Sequence, residues 1–100
     1  MATKPELLSM DALSKAAGCL KVMAHPVRLR IVDALQQGEF AVHEIAELCG
    51  LSPHQTCGHL RLMQSHGLLD SQRNGRTVYY RIASPQLPAL LRCIRDNCGR

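Results

Sequence analysis

The side chains that could do chemistry in this sequence fall into two groups, one of thiols and one of hydrogen-bond donors and cations. The thiols are Cys19, Cys49, Cys57, Cys93 and Cys98, an odd number with no C-x-x-C pair among them. That pattern argues against a disulfide framework and leaves two readings, small buried residues or reactive thiols. Thiolates are soft ligands that favour ions such as As(III) and Cd(II), and they are the groups that take up oxidants and persulfides. Cys93 and Cys98 stand five positions apart, about 140° around a helix axis. Two thiols so placed on one intact helix cannot close on one ion, so a frayed helix end or a thiol from a second chain would have to complete a site.

Catalytic signatures are sparse. His43-Glu44-Ile45-Ala46-Glu47 has the first half of a zinc-protease helix, but Glu47 stands where the second histidine is needed. No cysteine has an evident basic partner, and no glycine-rich nucleotide loop is present. A small thiol enzyme or metal carrier using Cys93 and Cys98 is therefore the weaker of two function classes, and the chain is not expected to be an enzyme. His25 before Pro26 reads as the start of a helix, and His66 before Gly67 as a histidine at a helix C-terminus.

The second group begins with the run Ser52, His54, Gln55, Thr56, Cys57, Gly58 and His59, and a basic cluster of Arg73, Asn74 and Arg76 follows it. Gln55 has the paired donor and acceptor that read adenine N6 and N7, while His54 and His59 can donate to guanine or phosphate. Thr56 is also placed by helical spacing on an inward stripe with Leu60 and Met63. Arg73 and Arg76 suit phosphate or minor-groove contact. The charge balance agrees, since twelve Lys and Arg against eight Asp and Glu leave a net +4, which suits an anionic partner without requiring one. One Phe, two Tyr and no Trp are too few stacking platforms for a single-strand binder. Duplex DNA is the expected partner.

These residues need elements to hold them. Ser52-Pro53 is a strong helix start, and Gly50, two residues before, ends a short helix read as Phe40–Leu48 with Ile45 and Leu48 inward. Two short helices meeting across Gly50-Leu51-Ser52 form a helix-turn-helix. After Gly67 ends the second of them, Leu68–Gln72 reads as a strand, and Thr77–Ile82 alternates with Val78, Tyr80 and Ile82 on one face. Between the strands, Asn74-Gly75 suits a tight turn with two positive-φ residues. Upstream, a helix over Ser9–Met23 carries Leu13, Ala16, Ala17, Leu20 and Met23, with a second apolar row of Met10, Ala12, Cys19 and Val22. Pro26 opens another helix that Gly38 closes, and Ser84-Pro85 opens a last one with Leu87, Leu91, Ile94 and Cys98 on one stripe. The fold class is thus mainly α with a small β-hairpin, a winged helix-turn-helix of five helices and a two-stranded wing.

One hundred residues make one domain, with about two-thirds of the unfolded surface buried. Residues 1–8 read as an N-terminal tail and 9–100 as the winged helix domain. Hydrophobic residues make up 46% without a long apolar run, and Met1 to Glu6 lacks the features of a signal peptide, so a cytoplasmic protein without membrane contact is expected.

The run Leu20-Lys21-Val22-Met23-Ala24-His25-Pro26-Val27-Arg28-Leu29-Arg30-Ile31 resembles the second-helix signature of the ArsR/SmtB family of small metalloregulatory repressors. Ser52 to Leu60 resembles its recognition helix, and Gly67-Leu68-Leu69 with Gly75-Arg76 and Tyr79-Tyr80 its wing. The resemblance implies a homodimer paired through its first and last helices, a near-palindromic operator, and repression relieved by an inducer. The over-wide stripe of the first helix independently calls for a partner. Ala41 and His43 stand where many metal-sensing members carry two cysteines, and the last helix has Asp96 but no histidine for the zinc-sensing arrangement. Cysteine is then the soft ligand of the interface helices, which makes Cys93 and Cys98, with Cys19 of either protomer, the candidate site for a thiophilic ion or an oxidant. A repressor without an inducer, or with a zinc or histidine site, is the alternative.

Overall fold

The computed structural model describes residues 4–99. Five helices and three strands follow one another as α1 (Met10–Met23), α2 (Pro26–Leu35), β1 (Phe40–Ala41), α3 (Val42–Cys49), α4 (Pro53–Ser65), β2 (Leu69–Asn74), β3 (Thr77–Ile82) and α5 (Gln86–Cys98). Residues 4–9, which include part of the expected tail, precede α1 without regular structure. The rest of that expected tail, residues 1–3, and residue 100 at the end of the expected domain lie outside the described residues.

The helices start where their side chains can satisfy free backbone N–H groups. Ser9 Oγ accepts from Ala12 N–H at 3.1 Å, and His25 Nδ1 accepts from Val27 N–H at 3.2 Å with Pro26 in the first turn. At α3 the Glu44 carboxylate reaches back to the Ala41 N–H at 2.8 Å. Ser84 does not cap α5 as the sequence suggested; Pro85 holds that position, and the Ser84 hydroxyl instead donates to Gln86 Oε1 at 3.1 Å.

The sheet has the order β1-β3-β2, all antiparallel. It carries one strand more than the two-stranded wing expected, because Phe40 and Ala41 pair with Tyr80 and Tyr79 and α3 begins only at Val42. The wing turn also differs. Asn74 pairs with Thr77, so Gly75 and Arg76 are the two turn residues, and Gly75, at φ 69°, is the residue there with positive φ. Glycine first in a two-residue loop is the pattern of a type II′ turn, whose twist matches the flanking strands.

The core is one cluster under the helix-turn-helix. Ile31, Val32 and Leu35 of α2, Ile45 of α3, Leu60 and Met63 of α4, Tyr80 of β3, and Leu87 and Leu91 of α5 are buried together. Each such aliphatic side chain contributes about 1.5–3 kcal/mol of burial. Leu48, expected inward, is 53% exposed, and Ala46 takes the inner place beside Ile45. On α1 only Val22 and Met23 are buried, whereas Met10, Leu13 and Leu20 stand 73%, 41% and 57% exposed. The radius of gyration, 16.0 Å, exceeds the roughly 13 Å of a compact chain this long. A single protomer therefore leaves the apolar stripe of α1 largely uncovered.

Candidate nucleic-acid interface

Gly50 ends α3 with φ 68°, a left-handed value that a β-carbon disfavours, and Leu51 N–H then closes the turn on the Ala46 carbonyl at 2.9 Å. Ser52 caps α4: its Oγ accepts from Gln55 N–H at 3.1 Å, and Gln55 Oε1 accepts from Ser52 N–H at 3.1 Å. This reciprocal pair fixes the start of the helix. It also redefines Gln55, which is exposed but whose carbonyl oxygen is committed to the cap, so a two-pronged reading of adenine would have to open it.

Thr56 has to leave the set of DNA-contacting residues. It is fully buried, and its hydroxyl donates to the Ser52 carbonyl at 2.9 Å. The cause is the helical period: Thr56, Leu60 and Met63 share one face and go into the core together. The opposite face carries His54, Cys57, Gly58 and Arg61, of which Cys57 is half-buried and the others exposed. Arg61 was not singled out from the sequence, although its place seven residues after His54 puts both on that face. A β-carbon on Gly58 would meet nothing within 4 Å, so the surface is open there.

His59 is half-buried at the edge of this face and is held from behind. Its Nδ1 accepts from Arg28 Nε at 3.2 Å, and its ring stands edge-on to His25 with centroids 5.0 Å apart. Burial, then the Arg28 guanidinium and His25, push its pKa below the ordinary histidine value.

The wing follows directly and is tied to α4 by the Gln64 amide, which donates to Ser71 Oγ at 3.0 Å. Arg73, Asn74, Gly75 and Arg76 are all exposed at its tip. Arg81 is paired with Asp70 at 3.2 Å and Glu39 at 3.9 Å, whereas among the described residues Arg73 and Arg76 make no ion pair. Two guanidinium groups without an ion pair among the described residues thus stand at the tip of a hairpin bonded to the end of α4.

The thiols are dispersed. Cys93 and Cys98 are exposed on α5, and Cys19 is half-buried in a cleft of about 330 Å³ with Leu20, Met23, Leu68, Leu87 and Leu90. Among the described residues of one chain, no group of three His, Cys, Asp or Glu side chains is placed to hold a metal ion. The described thiols of one protomer are therefore not part of a three-ligand group. Cys49, the last residue of α3, is half-buried, and its burial raises the thiol pKa more than Arg30 lowers it. An ion pair between Arg95 and Asp33 fastens α5 to α2. Among the described residues no helix is long and apolar enough to cross a membrane.

Residues 23–72 match the family described as Helix-turn-helix domain. The chain is 32% identical over 94 residues to the transcriptional repressor SmtB homolog of Synechocystis, covering 94% of this chain and 71% of that protein. It is 36% identical over 84 residues to the nodulation protein NolR of Rhizobium meliloti, covering 84% and 69%. Among solved structures, the homodimeric winged helix-turn-helix DNA-binding domain Mb0332 of Mycobacterium bovis superposes with a TM-score of 0.80 at 32% identity, covering 98% of this chain and 90% of that one.

Proposed function

The chain belongs to the ArsR/SmtB family of helix-turn-helix transcriptional regulators, regulators and not enzymes, and from that premise we propose that it is a homodimeric repressor of duplex DNA with a near-palindromic operator. The observation that carries the reading is the open face of α4 together with the wing that follows it, whose tip carries two arginines with no ion pair among the described residues. An α-helix fits the roughly 12 Å major groove, and the hairpin then falls on the backbone or the adjacent minor groove. Ser52, His54, Cys57, Gly58, His59 and Arg61 face the groove. Arg73, Asn74 and Arg76 take phosphates or the minor-groove edge.

Dimerisation runs through α1 and α5 of the domain spanning residues 9–100. The exposed Met10, Leu13 and Leu20 support it, because an uncovered apolar stripe of this kind needs a partner. The same helices carry Cys19, Cys93 and Cys98. The inducer in this reading is thiol-directed, a thiophilic ion such as As(III) or Cd(II) shared between protomers or an oxidant, and it acts at these cysteines to favour a dimer with weak DNA affinity. A coupling of about 1–3 kcal/mol is enough to change occupancy.

A gel shift with the duplex upstream of this chain's own coding sequence tests both halves. The parent forms a discrete complex that arsenite, cadmium or a persulfide donor releases, and the Cys93→Ser, Cys98→Ser double variant holds on. Release of that variant as complete as the parent's moves the sensor elsewhere, and no release of the parent by any reagent removes the inducer from the account.

A further inference from the structure

The group behind the recognition helix has a part that the docking picture leaves unused. Arg28, in the first turn of α2, donates from Nη1 to the Val22 carbonyl at 3.0 Å and from Nε to His59 Nδ1 at 3.2 Å. The first bond satisfies a carbonyl in the last turn of α1, one of those left free at a helix end. The second crosses to α4 over 31 residues of sequence. One guanidinium therefore joins three helices and ends on an imidazole at the edge of the DNA-facing surface.

An imidazole nitrogen that accepts a hydrogen bond carries a lone pair, so the ring is neutral and its proton lies on the other nitrogen. With Arg28 on Nδ1, His59 keeps N–H at Nε2. We propose that Arg28 is a positioning residue for DNA recognition, which holds His59 as a neutral imidazole and fixes Nε2–H as its one donor to the duplex. The inference rests on the DNA-binding reading above. A donor of this kind addresses an acceptor, a phosphate oxygen or the N7 and O6 of guanine, through geometry and not through charge.

The surroundings agree. Among the described residues, the charged or titratable groups that act on His59 are Arg28 in the first turn of α2 and His25 at its N-cap, with no carboxylate to offset them. The Nδ1 of His25 is itself engaged by the Val27 N–H, and its ring packs edge-on to His59. Protonating His59 would break the Arg28 bond and put two cations face to face.

The test combines NMR with duplex binding. Nitrogen-15 shifts of the His59 ring in the intact parent identify the tautomer, and a titration gives its pKa without reference to DNA. The proposal expects Nε2–H and a pKa below the ordinary value of about 6.5. In Arg28→Ala the two tautomers mix and the pKa rises. Affinity for the upstream duplex then gains up to about thirtyfold more than the parent's between about pH 8 and 6, the counterion release of two added charges, one per protomer, near 0.15 M salt. Arg28→Lys, which keeps a charge and a donor, stays closer to the parent. Should Arg28→Ala fail to fold, the parent's ring shifts and Arg28→Lys still decide. A parent that binds the duplex with His59 protonated on Nδ1 overturns the proposal alone, as does an Arg28→Ala profile equal to the parent's. A parent that shows Nε2–H but binds no duplex overturns the functional reading and the role of His59 with it.

Discussion

Replacing Arg76 by alanine is expected to flatten the salt dependence of DNA binding by a calculable amount. Arg76 stands exposed at the wing turn with no ion pair among the described residues, so its charge is available to a phosphate. A dimer presents two copies. Each phosphate contact on a duplex adds about 0.9 to the slope of log affinity against log salt, so losing two lowers the slope by about 1.8. Over a fourfold rise in salt, about 50 to 200 mM, the parent should therefore lose about twelvefold more affinity than the variant. Fluorescence anisotropy with a labelled duplex at several salt concentrations reads this directly. Arg81 provides the contrast, because Asp70 and Glu39 already neutralise it. A slope for Arg76→Ala equal to the parent's, or one flattened as much by Arg81→Gln, would refute the assignment of the free arginines to phosphate contact.

Other substitutions probe the parts that hold the interface. Ser52→Ala removes one half of the reciprocal cap with Gln55, and thermal or urea unfolding should show a loss of about 1 kcal/mol. The histidine against Arg28 predicts a pH effect on stability: with the folded pKa of His59 lowered, the unfolded chain takes up its proton first as pH falls below about 6.5. Stability present above that pH is lost as pH drops toward the folded value, and His59→Asn, which cannot titrate, should lose less over the same window in urea titrations. Cys49, whose pKa burial raises, should react with iodoacetamide at neutral pH more slowly than the exposed Cys93 and Cys98, as peptide mass mapping of a time course would record.

What the sequence revealed is what local chemistry dictates. Ser52-Pro53 and Gly50 marked the turn because capping and left-handed backbone depend on the residues at hand. The inward row of Thr56, Leu60 and Met63 was legible from the helical period. Three features were hidden because their cause is distant. Phe40 and Ala41 become a strand only through Tyr80 and Tyr79, which lie some forty residues on. The turn at Gly75-Arg76 is set by the register of Asn74 with Thr77, and the dipeptide Asn-Gly by itself suited another turn. Gln55 looked like a base reader because its amide suits adenine, yet the nearer Ser52 N–H takes its oxygen. Arg28 gave no local sign of reaching His59. Among the described residues of one chain nothing gathers Cys19, Cys93 and Cys98 into a site, because they stand on separate helices or on different sides of one.

The central claim, a dimer that lays two recognition helices on one face of a duplex, is tested most directly by a hydroxyl-radical footprint. The footprint would be taken on the upstream duplex at physiological salt. Two helices in successive major grooves predict two protected patches with centres about 10–11 base pairs apart on the same face, both lost when unlabelled operator is added and retained with unrelated DNA. Protection that is continuous, that unrelated DNA removes equally well, or that covers a single groove would contradict it.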